Sequence, residues 1–435
     1  MKEQSKIPTS KVRRASKLIG TGAKVGGNYV KYFANKAIGD KKAKEKLDQE
    51  NAADIYQSLS ELKGSALKMA QVISMDKNML PKAMTGKFAQ AQYSAPPLSY
   101  PLVVKTFRQM FGKTPTELFD FFEKEAKNAA SIGQVHFATQ GDLKLAVKVQ
   151  YPGVADSVKS DLNLVKPIAM RMLHMKEKEI KQYIQEIEGK LLEETDYILE
   201  LKQSMEIVEA CSSLDGIYFP KYYPEFSNKR IITMDWIEGM HLKDFLATNP
   251  SQEIRNRAGQ RMWDFYDYQV NELNLIHADP HPGNFLFQAD GNLGVIDFGC
   301  VKRIPKEFYS VYFQLLNPFY HAEDERLRAL YYKLEFLLES DDKETEELFF
   351  NLFKDSMELL VHPFTNETFD FADEAYFDRI YKKGEELTKN KEIRKGGKAR
   401  GSRHILFINR TYFGLFSILH ELKAEIKTTT SFKLD

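Results

Sequence analysis

A short stretch in the second half of the chain carries polar residues of the types that phosphoryl transfer requires. It contains Asp279, then Asn284, and then Asp297 as the first residue of Asp-Phe-Gly. A carboxylate can orient or deprotonate an attacking hydroxyl group, and oxygens of Asn and Asp side chains are ligands that Mg²⁺ prefers. We therefore predict that Asp279 is the catalytic carboxylate and that Asn284 and Asp297 bind the metal.

The spacing of these three residues resembles that of protein kinases. Asn284 follows Asp279 by five residues, and Asp297 follows Asn284 by thirteen, much as in the catalytic loop and D-F-G motif of those enzymes. Two short apolar runs, 285–287 and 293–296, flank a segment rich in turn-forming residues, which predicts a β-hairpin. Such a hairpin would bring Asn284 and Asp297 to the same end, where one metal ion could bridge them.

A metal hydrolase that uses His277, Asp279 and His281 is an alternative interpretation. In an extended segment the alternation of side chains would aim all three residues the same way. However, no other cluster of His, Asp and Glu in the sequence completes such a site. Zinc chemistry would also leave Asn284 and Asp-Phe-Gly unexplained, so the phosphoryl-transfer interpretation is favoured.

A candidate nucleotide-binding lysine lies further upstream. Lys148 stands in Leu-Ala-Val-Lys-Val, which alternates like a half-buried strand and resembles the V-A-I-K strand of kinases. The segment 128–135, N-A-A-S-I-G-Q-V, precedes it and follows the glycine-rich template G-x-G-x-x-G-x-V with Gly133 and Val135 in register. Asn128 and Ala130 replace the first two glycines, which should stiffen this loop because both carry a Cβ atom.

With these motifs the chain resembles the UbiB/AarF family of atypical kinase-like proteins, whose loop is alanine-rich (A-A-A-S-I-G-Q-V). Residues 148–153 match the K-V-Q-x-P-G run of that family, residues 68–71 its K-x-G-Q motif, and residues 194–196 its E-x-D motif. Ala70 and Asn128 depart from the family pattern. The matches span most of the chain, and the departures affect the expected loop geometry more than the expected fold.

The resemblance implies an α+β, bilobal protein-kinase-like fold with an N-terminal helical extension that carries the KxGQ-like motif. It implies ATP (or ADP) and Mg²⁺ as cofactors, bound between the lobes. Glu194 is implied as the partner of Lys148 and Asp196 as a further polar group, although spacing alone leaves Glu193 and Glu200 open as partners. The implied catalytic residues are Asp279, Lys148 and Glu194, the nucleotide-binding residues are Ala129, Ala130, Ser131, Gly133, Val135, Lys148, Lys68 and Gln71, and the metal ligands are Asn284 and Asp297.

The rest of the sequence suggests four segments. Residues 1–50 form a basic arm, in which four glycines should weaken any single long helix. Residues 51–125 form the helical extension, where apolar residues recur at helical spacing from 51 to 74. Residues 126–237 form the N-terminal lobe with a helical insert. Residues 238–435 form the C-terminal lobe, in which a basic linker at 389–403 precedes a final amphipathic helix from about Leu406 to Ile426.

Composition narrows the remaining possibilities. The 62 basic and 61 acidic residues leave a net charge of only +1, and two cysteines are too few for a disulfide scaffold or a zinc ribbon. The sequence contains no run of eighteen or more apolar residues, so no transmembrane helix is predicted. We expect a cytoplasmic or organelle-matrix protein, in which the basic arm could contact an anionic membrane surface. Aromatic residues do not interleave the basic runs, so no nucleic-acid partner is expected.

We expect an ATPase, or a phosphotransferase acting on a small molecule or lipid. The resemblance implies support of isoprenoid-quinone biosynthesis, together with proteins or lipids of that pathway as partners. A true protein kinase is one alternative, although the sequence has no A-P-E motif and no long activation segment after Gly299. A scaffold that binds nucleotide without turnover is the other. Retention of Lys148, Asp279, Asn284 and Asp297 together argues against such an inactive protein.

Overall fold

The protein is described from a computed structural model. The described residues comprise seven continuous stretches and a few isolated positions: 11–37, 98–129, 132–173, 191–317, 323–389, 400–402 and 404–430, with 43, 46, 47, 49–51, 53, 54, 185, 188, 189 and 432. They divide into two compact units, and helix Tyr197–Cys211 crosses from the first unit to the second after Leu201. Each unit is considered by itself.

The N-terminal unit contains an antiparallel five-stranded sheet. Its order is β1-β3-β4-β6, with β2 pairing to β3 beside β1. The strand β4 pairs on both sides, and every residue from 145 to 150 is buried, so the half-buried alternation expected from the sequence is wrong. The strands are β1 (Phe121–Phe122), β2 (Asn128–Ala129), β3 (Gly133–Gln140), β4 (Leu143–Gln150) and β6 (Ile231–Asp235).

Five helices are described in or at the border of this unit. Val103 and Phe107 of α2 pack with Phe122 and Leu145 of the sheet in one apolar core. The helix α2 ends where Gly112 adopts φ +71 and donates its N–H to the carbonyl of Arg108, a left-handed ending that glycine permits. The helices are α1 (Lys11–Ala37), α2 (Tyr100–Phe111), α3 (Pro115–Leu118), α4 (Val154–Leu173) and α5 (Tyr197–Cys211).

Residues 11–37 of the basic arm form one helix of 27 residues, α1, so the expectation that the four glycines would weaken a single long helix is wrong. Tertiary contacts outweigh the poor helix propensity of glycine. The helix α1 packs against α4, and the buried Asn28 donates from Nδ2 to Asn51 and Asp54 at 3.1 and 2.9 Å. Propensity is a weak prior that such contacts can override.

In its described residues, the C-terminal unit is mainly helical and holds three small sheets. The strands β8 and β9 form the antiparallel hairpin predicted from the sequence, and β5 pairs in parallel with β9. The strands β7 and β10 pair antiparallel, as do β11 and β12. The strands are β5 (Ile217–Tyr218), β7 (Leu275–His277), β8 (Phe285–Phe287), β9 (Leu293–Val295), β10 (Val301–Arg303), β11 (Thr368–Asp370) and β12 (Glu425–Lys427).

Two long helices, α7 and α12, meet in the core of this unit. A Cβ atom at Gly259 of α7 would lie 2.7 Å from Ala424 Cβ and 3.2 Å from Leu419 Cδ2, so glycine permits the close approach. The helices are α6 (Leu242–Ala247), α7 (Gln252–Asn271), α8 (Lys306–Tyr312), α9 (Asp324–Lys333), α10 (Lys343–Val361), α11 (Glu374–Lys389) and α12 (Ile405–Leu422).

The α+β class predicted from the sequence is confirmed. The final helix was predicted too long. It ends at Leu422, where Lys423 adopts φ +50, and Ile426 belongs to β12. The apolar residues continue because β12 also buries Ile426. Within the described residues, none of the helices has the length and apolar character to span a membrane.

We expect His136 to make the stability of the N-terminal unit dependent on pH. This fully buried ring donates from Nδ1 to the carbonyl of Glu123 at 2.8 Å and accepts at Nε2 from the amide of Gln134 at 2.8 Å. The donor assignment follows because the Gln134 oxygen already accepts the N–H of Leu98. Burial lowers the pKa of His136 below its ordinary value of 6.5.

Because the folded state resists protonation, the unfolded chain binds the extra proton, and stability falls as the pH drops below 6.5. Urea unfolding between about pH 7.5 and 5.5 should show this loss in the wild type and a shallower slope in His136→Gln. The slopes should differ by up to about 1.4 kcal/mol per pH unit. Equal slopes would contradict the prediction, since other histidines contribute equally to both chains.

Candidate active site

Two residues predicted to bind nucleotide, Val135 and Lys148, lie on one row of the N-terminal sheet with Asn128. Asn128 of β2 pairs with Val135 of β3, and Val135 pairs with Lys148 of β4. Residues that face each other across antiparallel strands lie on the same side of a sheet. The structure therefore brings the loop segment and the candidate lysine together on one side.

Lys148 is held in a buried ion pair. Its Nζ donates to Glu200 Oε1 at 2.6 Å, and each side chain is only 7% exposed. The same Nζ lies 5.4 Å from the centre of the Tyr197 ring, within the range of a cation–π interaction. Tyr197 and Glu200 lie one turn apart on α5, so a single helix supplies both contacts to the lysine.

Gly133 is a glycine because two neighbours leave no room for a side chain. A Cβ atom there would lie 2.5 Å from the carbonyl oxygen of Val149 and 2.9 Å from the hydroxyl of Tyr197. The sequence placed Gly133 in register with a phosphate loop. The structure adds a packing reason, which is the close approach of β3 to β4 and to α5.

The other predicted residues of this unit stand as follows. Glu194 is buried and lies six residues before Glu200, and its assignment as the Lys148 partner stays a prediction. The carboxylate of Asp196 accepts the backbone N–H groups of Ile198 and Leu199, both at 3.1 Å, and so caps α5. The remaining positions, Ala130, Ser131, Lys68 and Gln71 with Ala70, lie outside the described residues, and of Ala129 only the backbone is described.

In the C-terminal unit the catalytic-loop candidates follow β7. This strand ends at His277, which pairs with Val301, the first residue of β10. The next residue, Ala278, donates its N–H to the carbonyl of Cys300 at 2.8 Å. The loop that carries Asp279 therefore leaves the sheet beside the segment that carries Asp-Phe-Gly.

Hydrogen bonds within the loop fix its shape. The carbonyl of Asp279 accepts the N–H of His281 at 2.7 Å and the Nδ2 of Asn284 at 2.9 Å. The Nδ1 atom of His281 accepts the N–H of Gly283 at 3.0 Å. Because the Asn284 amide donates through Nδ2, its orientation is set and its Oδ1 points elsewhere, as a metal ligand requires.

The hairpin brings Asn284 and Asp297 to the same end, as predicted. Ile296 donates its N–H to the carbonyl of Asn284 at 3.0 Å, and Phe285 faces Val295 in the ladder. Asp297 Oδ1 accepts the N–H of Gly299 at 2.7 Å. Mg²⁺ usually takes one or two protein ligands and completes its shell with water and phosphate oxygens, so an amide oxygen and a carboxylate fit this ion.

The metal-hydrolase interpretation fits the structure less well. His277 is fully buried, with its Nδ1 3.2 Å from the hydroxyl of Tyr266. Burial and the negative charge of Asp279 raise the pKa of Tyr266 well above its ordinary value, so that hydroxyl keeps its proton. Across the described part of the chain, no three His, Cys, Asp or Glu side chains are grouped to hold a metal ion.

The structure adds two residues that the sequence did not single out. Glu200 was one of three acids left open as partners of Lys148, and only the tertiary contact selects it. Arg410 of α12 forms an ion pair with Asp279, from Nη2 to Oδ1 at 2.5 Å. One signal could have revealed Arg410, because it is the one Lys or Arg in the sequence of α12, and a charge in an apolar helix needs a partner.

Comparisons with known proteins find relatives of this chain among atypical kinases. A family model described as the ABC1 atypical kinase-like domain matches residues 90–331, more than half of the chain. A probable serine/threonine-protein kinase, abkA, of Dictyostelium discoideum is 25% identical over 88% of this chain and 70% of its own length. The atypical kinase COQ8, mitochondrial, of Saccharomyces cerevisiae is 27% identical over 87% of this chain and 76% of its own length.

Some relatives are considerably longer. An ABC1 family protein of Schizosaccharomyces pombe is 31% identical to this chain. The match covers 64% of this chain but only 52% of that relative. A solved structure of a Mycobacterium tuberculosis protein with erythromycin matches 89% of this chain and 96% of its own, with 22% identity and a TM-score of 0.57. That likeness concerns the fold alone, and with the family match it confirms the kinase-like fold predicted from the sequence.

We expect Lys148 and Glu200 to be energetically coupled. Removing one partner of a buried ion pair leaves an uncompensated charge and typically costs about 3–5 kcal/mol. Lys148→Met and Glu200→Gln should each be destabilising in urea unfolding, and the double variant should lose less than the sum, by more than about 1 kcal/mol.

Glu193→Gln is the matched control, because Glu193 is an exposed acid of the preceding helical turn. It should show no comparable coupling to Lys148. The same cycle with Glu194→Gln tests the partner that the family resemblance implied. Additive effects of Lys148→Met and Glu200→Gln would show that the observed contact contributes little.

Proposed function

The chain belongs to the ABC1 atypical kinase-like family, and on that basis we propose that it binds ATP with Mg²⁺ and either hydrolyses it or transfers its phosphoryl group to a small molecule or lipid. We further propose that this activity supports isoprenoid-quinone biosynthesis. The relatives named as atypical kinases include mitochondrial proteins, which supports a location inside an organelle.

The observation that supports turnover most directly is the arrangement of the loop and hairpin in the C-terminal unit. Asp279, Asn284 and Asp297 occupy two backbone segments that are joined by hydrogen bonds at both ends. In this proposal, Asn284 and Asp297 hold Mg²⁺, which neutralises charge on the phosphates. Asp279 orients the acceptor oxygen, which is the main requirement of a loose phosphoryl-transfer transition state.

The N-terminal unit supplies the proposed phosphate contacts. Lys148, oriented by Glu200, would pair with the α- and β-phosphates, as the strand lysine does in kinases. The backbone around Ala129, Ala130, Ser131 and Gly133 would cover the phosphates beside Val135. Lys68, Gln71 and Glu194 complete the proposed site on the strength of the family resemblance.

The segment after Asp-Phe-Gly favours a small acceptor over a protein. The strand β10 ends at Arg303, and α8 begins at Lys306, so only Ile304 and Pro305 separate them. Protein kinases hold a peptide with a long segment here, which is ordered or released by phosphorylation. The described residues have only a two-residue connection at this place, which favours an acceptor smaller than a protein.

The helix α1 supports the proposed membrane contact. Tyr29, Val30 and Phe33 are exposed, and at 3.6 residues per turn they share an arc of about 100°. The buried Thr21 and Asn28 lie on another side of the helix, and the exposed Lys36 lies beside the apolar strip. An exposed apolar strip with a neighbouring lysine is typical of helices that lie in a lipid interface.

Asp297→Asn should abolish metal-dependent nucleotide binding and leave the fold intact. An amide oxygen can still accept the N–H of Gly299, but it lacks the charge that holds Mg²⁺. Thermal stabilisation by Mg·ATP should disappear, and turnover should fall by about 100-fold or more. Asp290→Asn, at the turn of the same hairpin, is the control and should behave as wild type. Unchanged stabilisation in Asp297→Asn would refute the metal site.

Asp279→Asn distinguishes catalysis from scaffolding. If the protein turns ATP over, this variant should bind Mg·ATP normally and lose hydrolysis, with or without anionic lipid and a phenolic quinone precursor. Normal quinone levels in cells that carry only Asp279→Asn, but not in cells that carry Asp297→Asn, would favour a nucleotide-gated scaffold instead.

Val30→Asp combined with Phe33→Asp should weaken binding to vesicles that contain anionic phospholipid. Each apolar side chain buried in lipid contributes roughly 1.5–3 kcal/mol, so each change should reduce affinity by about tenfold or more. Tyr381→Asp, at an exposed aromatic residue of α11, is the control. Vesicle binding is measured by cosedimentation. If the Val30→Asp and Phe33→Asp variant binds as well as the wild type, the proposed membrane contact of α1 is wrong.

A further inference from the structure

The final helix of the chain supplies a buried charge to the catalytic loop. Arg410 Nη2 lies 2.5 Å from Asp279 Oδ1, and their side chains are only 8% and 12% exposed. We infer that Arg410 is a positioning residue for phosphoryl transfer, which acts by fixing the orientation of the Asp279 carboxylate. This inference rests on the proposed function of Asp279 as the group that orients the acceptor.

The helix that carries Arg410 is closely packed against the loop. One turn after Arg410, a Cβ atom at Gly414 would lie 2.4 Å from Pro280 Cγ and 3.2 Å from the Pro280 carbonyl oxygen. A side chain at this position would push α12 and the loop apart. Glycine therefore sets the spacing between the helix and the loop, and this spacing lets Arg410 reach Asp279.

Different atoms hold the backbone and the side chain of Asp279. Its carbonyl oxygen accepts His281 N and Asn284 Nδ2, which fixes the path of the loop but leaves rotation about the side-chain bonds. The Arg410 contact at Oδ1 removes that freedom and so sets the direction of the second carboxylate oxygen. Holding a reacting oxygen in place is the kind of effect for which a misplacement of about 1 Å can reduce a rate about 100-fold.

A second buried arginine of the same unit provides a comparison. Arg400 pairs with Asp341 through two contacts of 2.7 Å and lies 3.6 Å from the centre of the Phe349 ring. It also donates to the carbonyl of Phe336. Both arginines neutralise a buried aspartate, but the partners of Arg400 belong to segment 336–349 and not to the catalytic loop. A purely structural role would give the two arginines the same effect.

The test uses the full chain with Arg410→Met and Arg410→Lys, measuring ATP turnover and the dissociation constant for Mg·ADP. We expect kcat to fall about 100-fold in Arg410→Met, while Mg·ADP affinity stays within about twofold, since the ion pair of Arg410 is made with Asp279 and the proposed metal ligands are Asn284 and Asp297. Arg410→Lys keeps the charge and should recover part of the loss. In an Asp279→Asn background, Arg410→Met should cost almost nothing further.

Arg400→Met is the matched control. It should lower the melting temperature while kcat, measured well below that temperature, stays within about twofold of wild type. If Arg410→Met does not fold, Gly414→Ala and Arg410→Lys provide the test, because both should lower kcat with Mg·ADP affinity preserved.

Three results would overturn the inference: unchanged kcat in Arg410→Met, equal effects of Arg400→Met and Arg410→Met on turnover and stability, or full additivity with Asp279→Asn. These are distinguishable from failure of the proposed function. A wild-type chain without any ATP turnover refutes that function and this role together. An active wild type with fully active Arg410 variants refutes only the positioning role.

Discussion

Strand pairing at both ends of two short segments is the constraint on which the chemistry of the C-terminal unit depends. At one end, β7 pairs with β10, and Ala278 bonds to Cys300. At the other end, Ile296 bonds to Asn284 where the hairpin β8–β9 begins. Buried backbone groups need their partners, so neither segment can shift without breaking a ladder. The catalytic-loop carboxylate and the proposed metal ligands keep their relative positions for this reason.

A buried positive charge organises the N-terminal unit in a comparable way. Lys148 lies on a strand that is paired on both sides, where an uncompensated ammonium group would be costly. Compensation by Glu200 requires α5 to begin at the right place, and the cap formed by Asp196 defines that beginning. Tyr197 on the same turn then contacts the lysine and limits residue 133 to glycine. The lysine, the helix and the loop thus constrain one another.

The chain belongs to an atypical kinase-like family, and the residues proposed for its chemistry lie on a loop and a hairpin that backbone pairing holds together. The short connection from β10 to α8 agrees with an acceptor smaller than a protein. The helix α12 adds a contact to the carboxylate of Asp279 from a part of the chain 131 residues away. The end of the C-terminal unit is thereby connected to the proposed site, and not only to the apolar core.

The sequence by itself determined the local features: the loop with Asp279, the hairpin that joins Asn284 to Asp297, and the strand of Lys148. These features depend on residues near one another in the chain, so spacing and turn chemistry suffice. The sequence could not choose Glu200 among several acids of one helical region, because helical periodicity repeats while only packing shows which side faces the lysine. It also predicted a weakened helix in the basic arm, since propensity does not register the hydrogen bonds of a buried asparagine. The pairing of Arg410 with the catalytic loop was decided by the tertiary structure alone, because nothing local to either residue encodes a contact between a final helix and a loop far upstream.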